Sequence, residues 1–536
     1  MLWSFAVAAL CLYRAGHDKA DSINDANSNS FGRLLMTETA FNTSGTVRNA
    51  VHQIDIRSIL QWLTSPAAPQ PVDELPMLRS HLQALREVRV TPVQRAHALD
   101  RLYKRGMTVI TRLLPSLTRD LVLPVPRKTR RIVNGVLNLL QMIADDMLAL
   151  LEEPFLARPP ELALWRSLQA LSQQLLISHL IACPAPTGSW QQLHQTYARV
   201  RRLQVDTAVP RGASRKLQDV YYSAVLLGCA QPASLTPQEV LFLADYFERF
   251  ADQVEPISTA VSATPATFWI DPARDVAACS ALRNLSRPAA PLECFSCVRL
   301  CLLLRAQIAQ LDAGTSASEL NLPDFAGTSA GRGVLGRLAT RWSDLGKRRY
   351  IRRRQNHRAL LGTGIDGLWH IGKKEDPASV NVSTWMVTNE SPEGYAVMHV
   401  TGNTGVLSVG NVVAIRTDFD QNWQICLVRW ALSENPEHLE LGLQILAPKA
   451  VPAILAQPSH DTGTEYLRVL ILPEIPKLRS GQSLVVATGA LPKERDKLLL
   501  LIEGNNISVR EVSRTGIEEQ TGSVEIMSIE SVQNPF

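Results

Sequence analysis

No motif that usually commits a chain to phosphate-loop or zinc-protease chemistry occurs here. The sequence lacks the Gly-x4-Gly-Lys-[Ser/Thr] loop of a P-loop nucleotidase and the His-Glu-x-x-His helix of a zinc protease. Its 11 histidines include no pair at a spacing that recruits a carboxylate to a metal. Cysteine is sparse as well: eight residues, scattered over 536, offer no disulfide framework. Only Cys294-x-x-Cys297, followed by Cys301, is clustered. A metal or redox site there would need a second such pair or two histidines to complete four ligands. The run ECFSCVRLCLLLRAQIAQL reads instead as one apolar helix on which thiols pack as small hydrophobes. The apolar start MLWSFAVAALCLY is shorter than the ~20 residues a bilayer span needs, and it lacks a basic n-region and a clear cleavage site. A polar, aperiodic stretch follows, and Met36 opens an ordinary cytosolic beginning. Residues 1–35 are therefore expected to be an upstream extension without structure of its own, an expectation that native peptides from before Met36 would overturn. Finally, a net charge of +5 is too small for a general nucleic-acid coat.

What remains is a chain able to bury several cores: 46% apolar and 20% charged, with a length that suits two to four domains. From about Ile54 to Asp312 apolar residues recur at helical spacing, and proline-containing breaks at SPAAPQP, VLPVP and ARPPE separate the runs. Trp190-x-x-Leu193-x-x-x-Tyr197 is similar to the first helix of a tetratricopeptide unit, but the spacing to its nearest counterpart, Trp165, is not that of the repeat. The expectation for residues 36–320 is an irregular all-helical array with a scaffold's capacity to dock a protein partner. Residues 321–346 turn rich in Gly, Ser and Thr and are expected to be a linker running into a short basic helix. The Gly331-x-Gly333-x-x-Gly336 within it follows no strand and has no acidic residue where a ribose partner belongs. Beyond residue 460, short strands between turn signals such as RSGQ and EGNN predict a small C-terminal β-rich module, a barrel or a sandwich, over 460–536.

Between the linker and that module lies the densest charge in the chain, KRRYIRRRQNHR, followed by strand-like runs. A guanidinium is planar, permanently charged and able to pair with phosphate through two parallel hydrogen bonds, and two of them one turn apart can grip a compact dianionic nucleotide. Arg354-Gln355-Asn356-His357-Arg358 reads RxxxR, and Arg353 extends it to RRxxxR. Two other registers are open, Arg348 with Arg352 and Arg349 with Arg353. Farther on, Asn389-Glu390-Ser391-Pro392-Glu393-Gly394 reads [Asp/Asn]-x-Ser-x-x-Gly, with short polar side chains ahead of a glycine turn.

These two signatures, in this order and followed by VGNVVAI, VRW and LGLQ strands, resemble those of the PilZ domain, a bacterial receptor module for cyclic di-GMP. The resemblance covers about residues 347–450. It implies a six-stranded antiparallel β-barrel and hence a multidomain α + β chain. Arg353, Arg354 and Arg358 would clamp phosphates and stack on guanine, while Asn389, Ser391 and Gly394 would form the base-reading turn. The implied protein is a non-enzymatic cytoplasmic receptor without a cofactor or metal, in which the ligand reorients the helical domain. The alternative is a non-catalytic scaffold whose degenerate barrel and arginine cluster bind RNA or an acidic protein surface. Trp369, Trp385 and Trp430 are expected in barrel cores rather than on the ligand.

Overall fold

A computed structural model describes residues 56–531, apart from 119–120, 154–158, 258–263, 283–291, 344–349, 374–380, 421, 436, 459–463, 476–478, 480, 492–496 and 504–506. The expected extension at residues 1–35 thus lies outside the described residues.

The helical array forms where the 3–4 spacing predicts it. Helices Ile56–Thr64, Glu74–Glu87, Pro92–Thr118, Arg127–Ala149, Glu161–Leu180, Ser189–Arg202, Leu217–Cys229 and Pro237–Phe250 follow one another. Most turn one apolar stripe inward, whereas Glu161–Leu180 and Leu217–Cys229 are buried on almost every face at the centre of the array. Trp190, Leu193 and Tyr197 all face the core, and the Tyr197 ring stacks on Tyr221 with centroids 3.8 Å apart. Helix Arg127–Ala149, with the turn that follows it, is long and apolar enough to cross a membrane. In the fold it is a core helix, with Val133, Val136, Leu140, Ile143 and Met147 buried among its neighbours.

Set into this region is a small antiparallel sheet that helical periodicity did not predict. Strands β1 (Glu255–Ile257), β2 (Thr267–Ile270), β3 (Cys279–Ser280) and β4 (Glu293–Ser296) are arranged β1-β4-β2-β3. Its presence corrects the reading of the cysteine run. Cys294 lies on β4, Cys297 precedes the helix Val298–Asp312, and only Cys301 is within it. Alternation in Glu-Cys-Phe-Ser buries Phe295 against β2, and this pairing outweighs helix formation there. Burial raises the Cys297 thiol and pushes Cys301 up to about 11, the state of packed rather than reactive thiols. Among the described residues no three metal-ligating side chains are grouped to hold an ion.

The expected Gly/Ser linker is also corrected. Residues 321–346 contain a 3-10 turn, Asp324–Gly327, and the helix Ser329–Ser343. Val334, Leu335, Leu338 and Trp342 form its buried stripe, and Trp342 lies against Phe247 and Phe268. Gly331 lets the helix approach the preceding turn, since a Cβ there would lie 1.9 Å from the Phe325 carbonyl oxygen. The Arg341 guanidinium donates to Ala230 O and, at 3.2 Å, to Ser234 Oγ; burial pulls its pKa down to about 10. Gly327-Thr328-Ser329-Ala330-Gly331 at this helix start formally matches the Gly-x-Ser-x-Gly elbow of serine hydrolases. A 3-10 turn rather than a strand precedes it, so it lacks the elbow's context.

Two closed barrels complete the chain. The first comprises β5 (Arg353–Thr363), β6 (Val382–Ser391), β7 (Gly394–Thr401), β8 (Val412–Thr417), β9 (Gln424–Asn435) and β10 (His438–Ala447), in the order β10-β7-β6-β5-β8-β9. Trp385, Val387, Val413 and Leu441 fill its interior. The run expected as strand after Leu361 turns at Gly364, whose φ is +81°, into a helix, Ile365–Lys373. The second comprises β11 (Val451–Pro458), β12 (Thr464–Leu472), β13 (Gln482–Ala487), β14 (Lys497–Glu503), β15 (Ile507–Gln520) and β16 (Val524–Ser531), closed as β11-β12-β13-β16-β15-β14. It starts at Val451, ahead of the boundary expected at 460.

The domains are joined by buried contacts. Trp369 leaves the first barrel's interior for a core shared with Leu470, Leu472 and Ile526, and its indole donates to Ala453 O at 2.9 Å. Arg429 grips Glu519 through two bonds of 2.8 Å. On the helical side, Arg130 donates to Ser433 O at 2.6 Å, Ser433 N donates to Ala182 O at 2.7 Å, and Thr404 donates to Leu123 O at 2.9 Å.

The Arg429–Glu519 pair sets an acid limit on the junction between the barrels. Burial raises the Glu519 carboxyl, but the Arg429 bonds and charge outweigh this and leave it below its ordinary 4.5. Near that value the unfolded chain therefore binds more protons at this group. The pair's stabilisation is full above 4.5 and is lost as pH falls through the lowered value. Thermal melts at a series of acid pH values should show a shallower acid decline for Glu519→Gln than for the unaltered chain.

Candidate ligand-binding site

The described candidate arginines do not sit on a helix, as expected, but lie on β5. Arg353, Arg354 and Arg358 are all strand residues and all exposed. The i, i+4 spacing from Arg354 to Arg358 spans three positions of the partner strand, Asn389 to Met386, and therefore corresponds to about 10 Å along the sheet instead of about 6 Å on a helical turn.

The pairing of β5 with β6 decides which residues meet. Arg353 lies opposite Glu390 and Arg354 opposite Asn389; then the register shifts, and His357 and Arg358 face Val387 and Met386. Two residues of β5, Gln355 and Asn356, stand against the single Thr388, which defines a β-bulge. Gln355 donates from Nε2 to Glu390 at 3.1 Å, tying the bulge to the partner strand. On its other side β5 pairs with β8 only from Ala359 opposite Thr417 onward. Hence the arginine segment is laddered along one edge and projects past β8 at the barrel rim.

The turn motif occupies the adjacent hairpin. Ser391 faces Gly394 across the β6–β7 turn, and the Ser391 hydroxyl donates to the Gly394 carbonyl at 3.3 Å. The Glu393 carbonyl accepts from Ile445 N at 2.9 Å, which anchors the turn to β10. Gly394 does not adopt a left-handed φ. A glycine is needed because β7 and β10 approach so closely that a Cβ would lie 2.0 Å from Leu443 O. Below the rim, Tyr395 donates to Gln424 Oε1 at 3.1 Å; burial raises its pKa, with Cys426, Glu390 and Asp420 adding to the effect.

Five of the six expected site residues thus come together at one rim: Arg353, Arg354, Asn389, Ser391 and Gly394. Arg358 stands apart along β5, beside the β8–β9 turn, where Asp418 N donates to its carbonyl at 3.2 Å. That turn also carries Phe419, which contacts His357 edge to face at 5.0 Å and is 80% exposed. Nothing in the sequence singled it out, since a lone aromatic between two aspartates has no pattern.

Two family descriptions match the chain. "Cyclic-di-GMP receptor FimW, N-terminal domain" matches residues 57–260, the helical region. "Cyclic-di-GMP receptor FimW, middle PilZ domain" matches residues 370–452, which include Asn389, Ser391 and Gly394 and begin after the arginines. The cyclic-di-GMP receptor FimW of Pseudomonas aeruginosa is 22% identical, over 69% of this chain and 72% of that protein. The solved structure of the Bacillus subtilis inhibitor of motility MotI/DgrA aligns with 33% of this chain and 88% of its own, at 14% identity and a TM-score of 0.11, too low to support any inference. With matching helical and barrel segments in the matching order, the chain belongs to the PilZ-domain family that includes the receptor FimW.

Proposed function

We propose that this chain is a non-enzymatic receptor for cyclic di-GMP, acting in the cytoplasm, which holds the dinucleotide between its arginine segment and the rim of the first barrel. The observation that carries this reading is the strand register that sets Arg354 across from Asn389, so that two motifs distant in sequence share one rim. Arg353, Arg354 and Arg358 supply planar cations for phosphate and for stacking, and Asn389 and Ser391 supply short polar groups for a base edge. Gly394 keeps the turn closed against β10.

The regulatory step follows from where the arginines are attached. They begin β5, and the helix Ser329–Ser343 upstream is packed into the helical domain. A ligand that grips the arginines at the start of β5 and fixes the residues just ahead of that strand therefore bears on that domain, which is carried as a rigid body toward or away from a protein partner. Ordering a backbone residue costs about 1–2 kcal/mol, so the bound ligand can order only a short segment. Cyclic di-GMP is expected to slow amide exchange over 350–358 and 389–394 and to leave helix Ser189–Arg202 nearly unchanged. Broad protection of the helices without change at 350–358 would place the ligand elsewhere.

A scaffold that binds RNA or an acidic protein through the same arginines is the competing reading. It is favoured by the exposure of Arg353, Arg354 and Arg358. Such a surface needs charge alone, and its affinity falls steeply with salt. The receptor reading requires Asn389 as well, so Asn389→Ala should weaken dinucleotide binding at constant charge.

A further inference from the structure

The rim of the first barrel carries a second recognition element, outside both motifs. Where β8 ends at Thr417, the chain turns through Asp418, Phe419 and Asp420 before β9 starts at Gln424. Phe419 is 80% exposed, although a phenyl ring normally gains from burial. The turn that presents it is braced. Asp420 N donates to Thr417 O at 3.1 Å, and the Asp420 carboxylate accepts from Thr417 Oγ1 at 2.8 Å and Gln424 Nε2 at 3.3 Å. The His357 ring holds Phe419 from one side at 5.0 Å. Asp418, also exposed, donates its backbone N–H to Arg358 O, so the turn is fastened to the arginine strand itself.

We propose that Phe419 and Asp418 form a subsite for one guanine of the dinucleotide, while Asn389 and Ser391 read the other. This inference rests on the cyclic-di-GMP reading above. A phenyl ring is a stacking platform for any base, and the adjacent carboxylate makes the platform selective. Guanine presents two parallel donors, N1–H and the exocyclic amine, which the two oxygens of a carboxylate accept together; adenine presents an acceptor at N1 and is repelled. Asp418 beside Arg358 would weaken phosphate binding if it met phosphate directly. Its placement suits a ligand whose phosphate engages Arg358 and whose donor-bearing edge reaches one residue farther. The last β5–β8 pair, Ala359 with Thr417, brings Arg358 and Asp418 next to each other.

The test is calorimetric titration of the full chain with cyclic di-GMP and with cyclic di-AMP. Phe419→Ala should weaken cyclic di-GMP binding on the order of tenfold or more, and Phe419→Tyr should restore most of it. Asp418→Asn keeps one acceptor and adds a donor that clashes with the amine, so it should narrow the preference for cyclic di-GMP over cyclic di-AMP by about tenfold. Both positions are exposed turn residues, and unchanged melting curves will show that the variants fold. If Arg354→Ala weakens binding about a hundredfold while Phe419→Ala and Asp418→Asn change neither affinity nor preference, the subsite is overturned and the receptor reading stands. If the unaltered chain binds no cyclic di-GMP, both are overturned.

Discussion

Replacing Gly394 by valine is expected to open the first barrel. A Cβ at this position would lie 2.0 Å from Leu443 O and 3.0 Å from Leu443 C, backbone atoms that cannot swing aside as a side-chain tip does. The pairs Gly394 with Gln444 and Tyr395 with Leu443 start the β7–β10 ladder that closes the barrel, so relief of the clash must part that ladder. Overpacking at an unyielding site costs about 2–4 kcal/mol, a large share of the stability of a barrel this size. Denaturant unfolding followed by tryptophan fluorescence, to which buried Trp385 of this barrel contributes, should show the loss without any ligand present. Gly489→Ala is the contrasting control: its φ of +76° strains a side chain, but no heavy atom lies within 4 Å of the added Cβ, and only about 1 kcal/mol should be lost. A left-handed turn glycine at 394 would have implied a loss of binding larger than the loss of folding. The close approach of β10 reverses that order.

Arg354→Ala is expected to remove most of the affinity for cyclic di-GMP, about a hundredfold, while leaving the melting curve in place. Arg354 is exposed, so the fold does not depend on it. A guanidinium that makes two charge-assisted bonds to a phosphate contributes about 3 kcal/mol, which is about a hundredfold in affinity. Arg354→Lys keeps the charge but not the planar fork and should fall between the two. The same titration ranks the registers. Arg358 stands about 10 Å along the bulged strand from Arg354 and should matter through a different phosphate or base. A loss at Arg353 exceeding that at Arg358 would shift the working pair to Arg349 and Arg353.

The elements that were legible in the sequence are those in which one period persists over many residues. Strands such as Val412–Thr417 and Gln424–Asn435 showed as apolar runs between turns, and the long helices showed as stripes at 3–4 spacing. The sheet β1 to β4 was hidden because its strands are two to four residues long, too short for a period to register. Helix Ser329–Ser343 was hidden by three glycines, one of which, Gly331, is there for a close approach and not for flexibility. Both site motifs could be read, but their meeting could not. Whether Arg354 faces Asn389 depends on a register and on a bulge at Gln355 and Asn356, which are properties of paired strands. Phe419 acquires significance only through its exposure and its neighbours.

The most direct test of the receptor assignment is a calorimetric titration of the unaltered chain with cyclic di-GMP at physiological salt, run beside the Arg354→Ala and Asn389→Ala variants. Saturable binding that Arg354→Ala weakens about a hundredfold and Asn389→Ala weakens less is the predicted result. Absence of binding, or binding that both variants retain at full affinity, would contradict the assignment of the ligand to this rim.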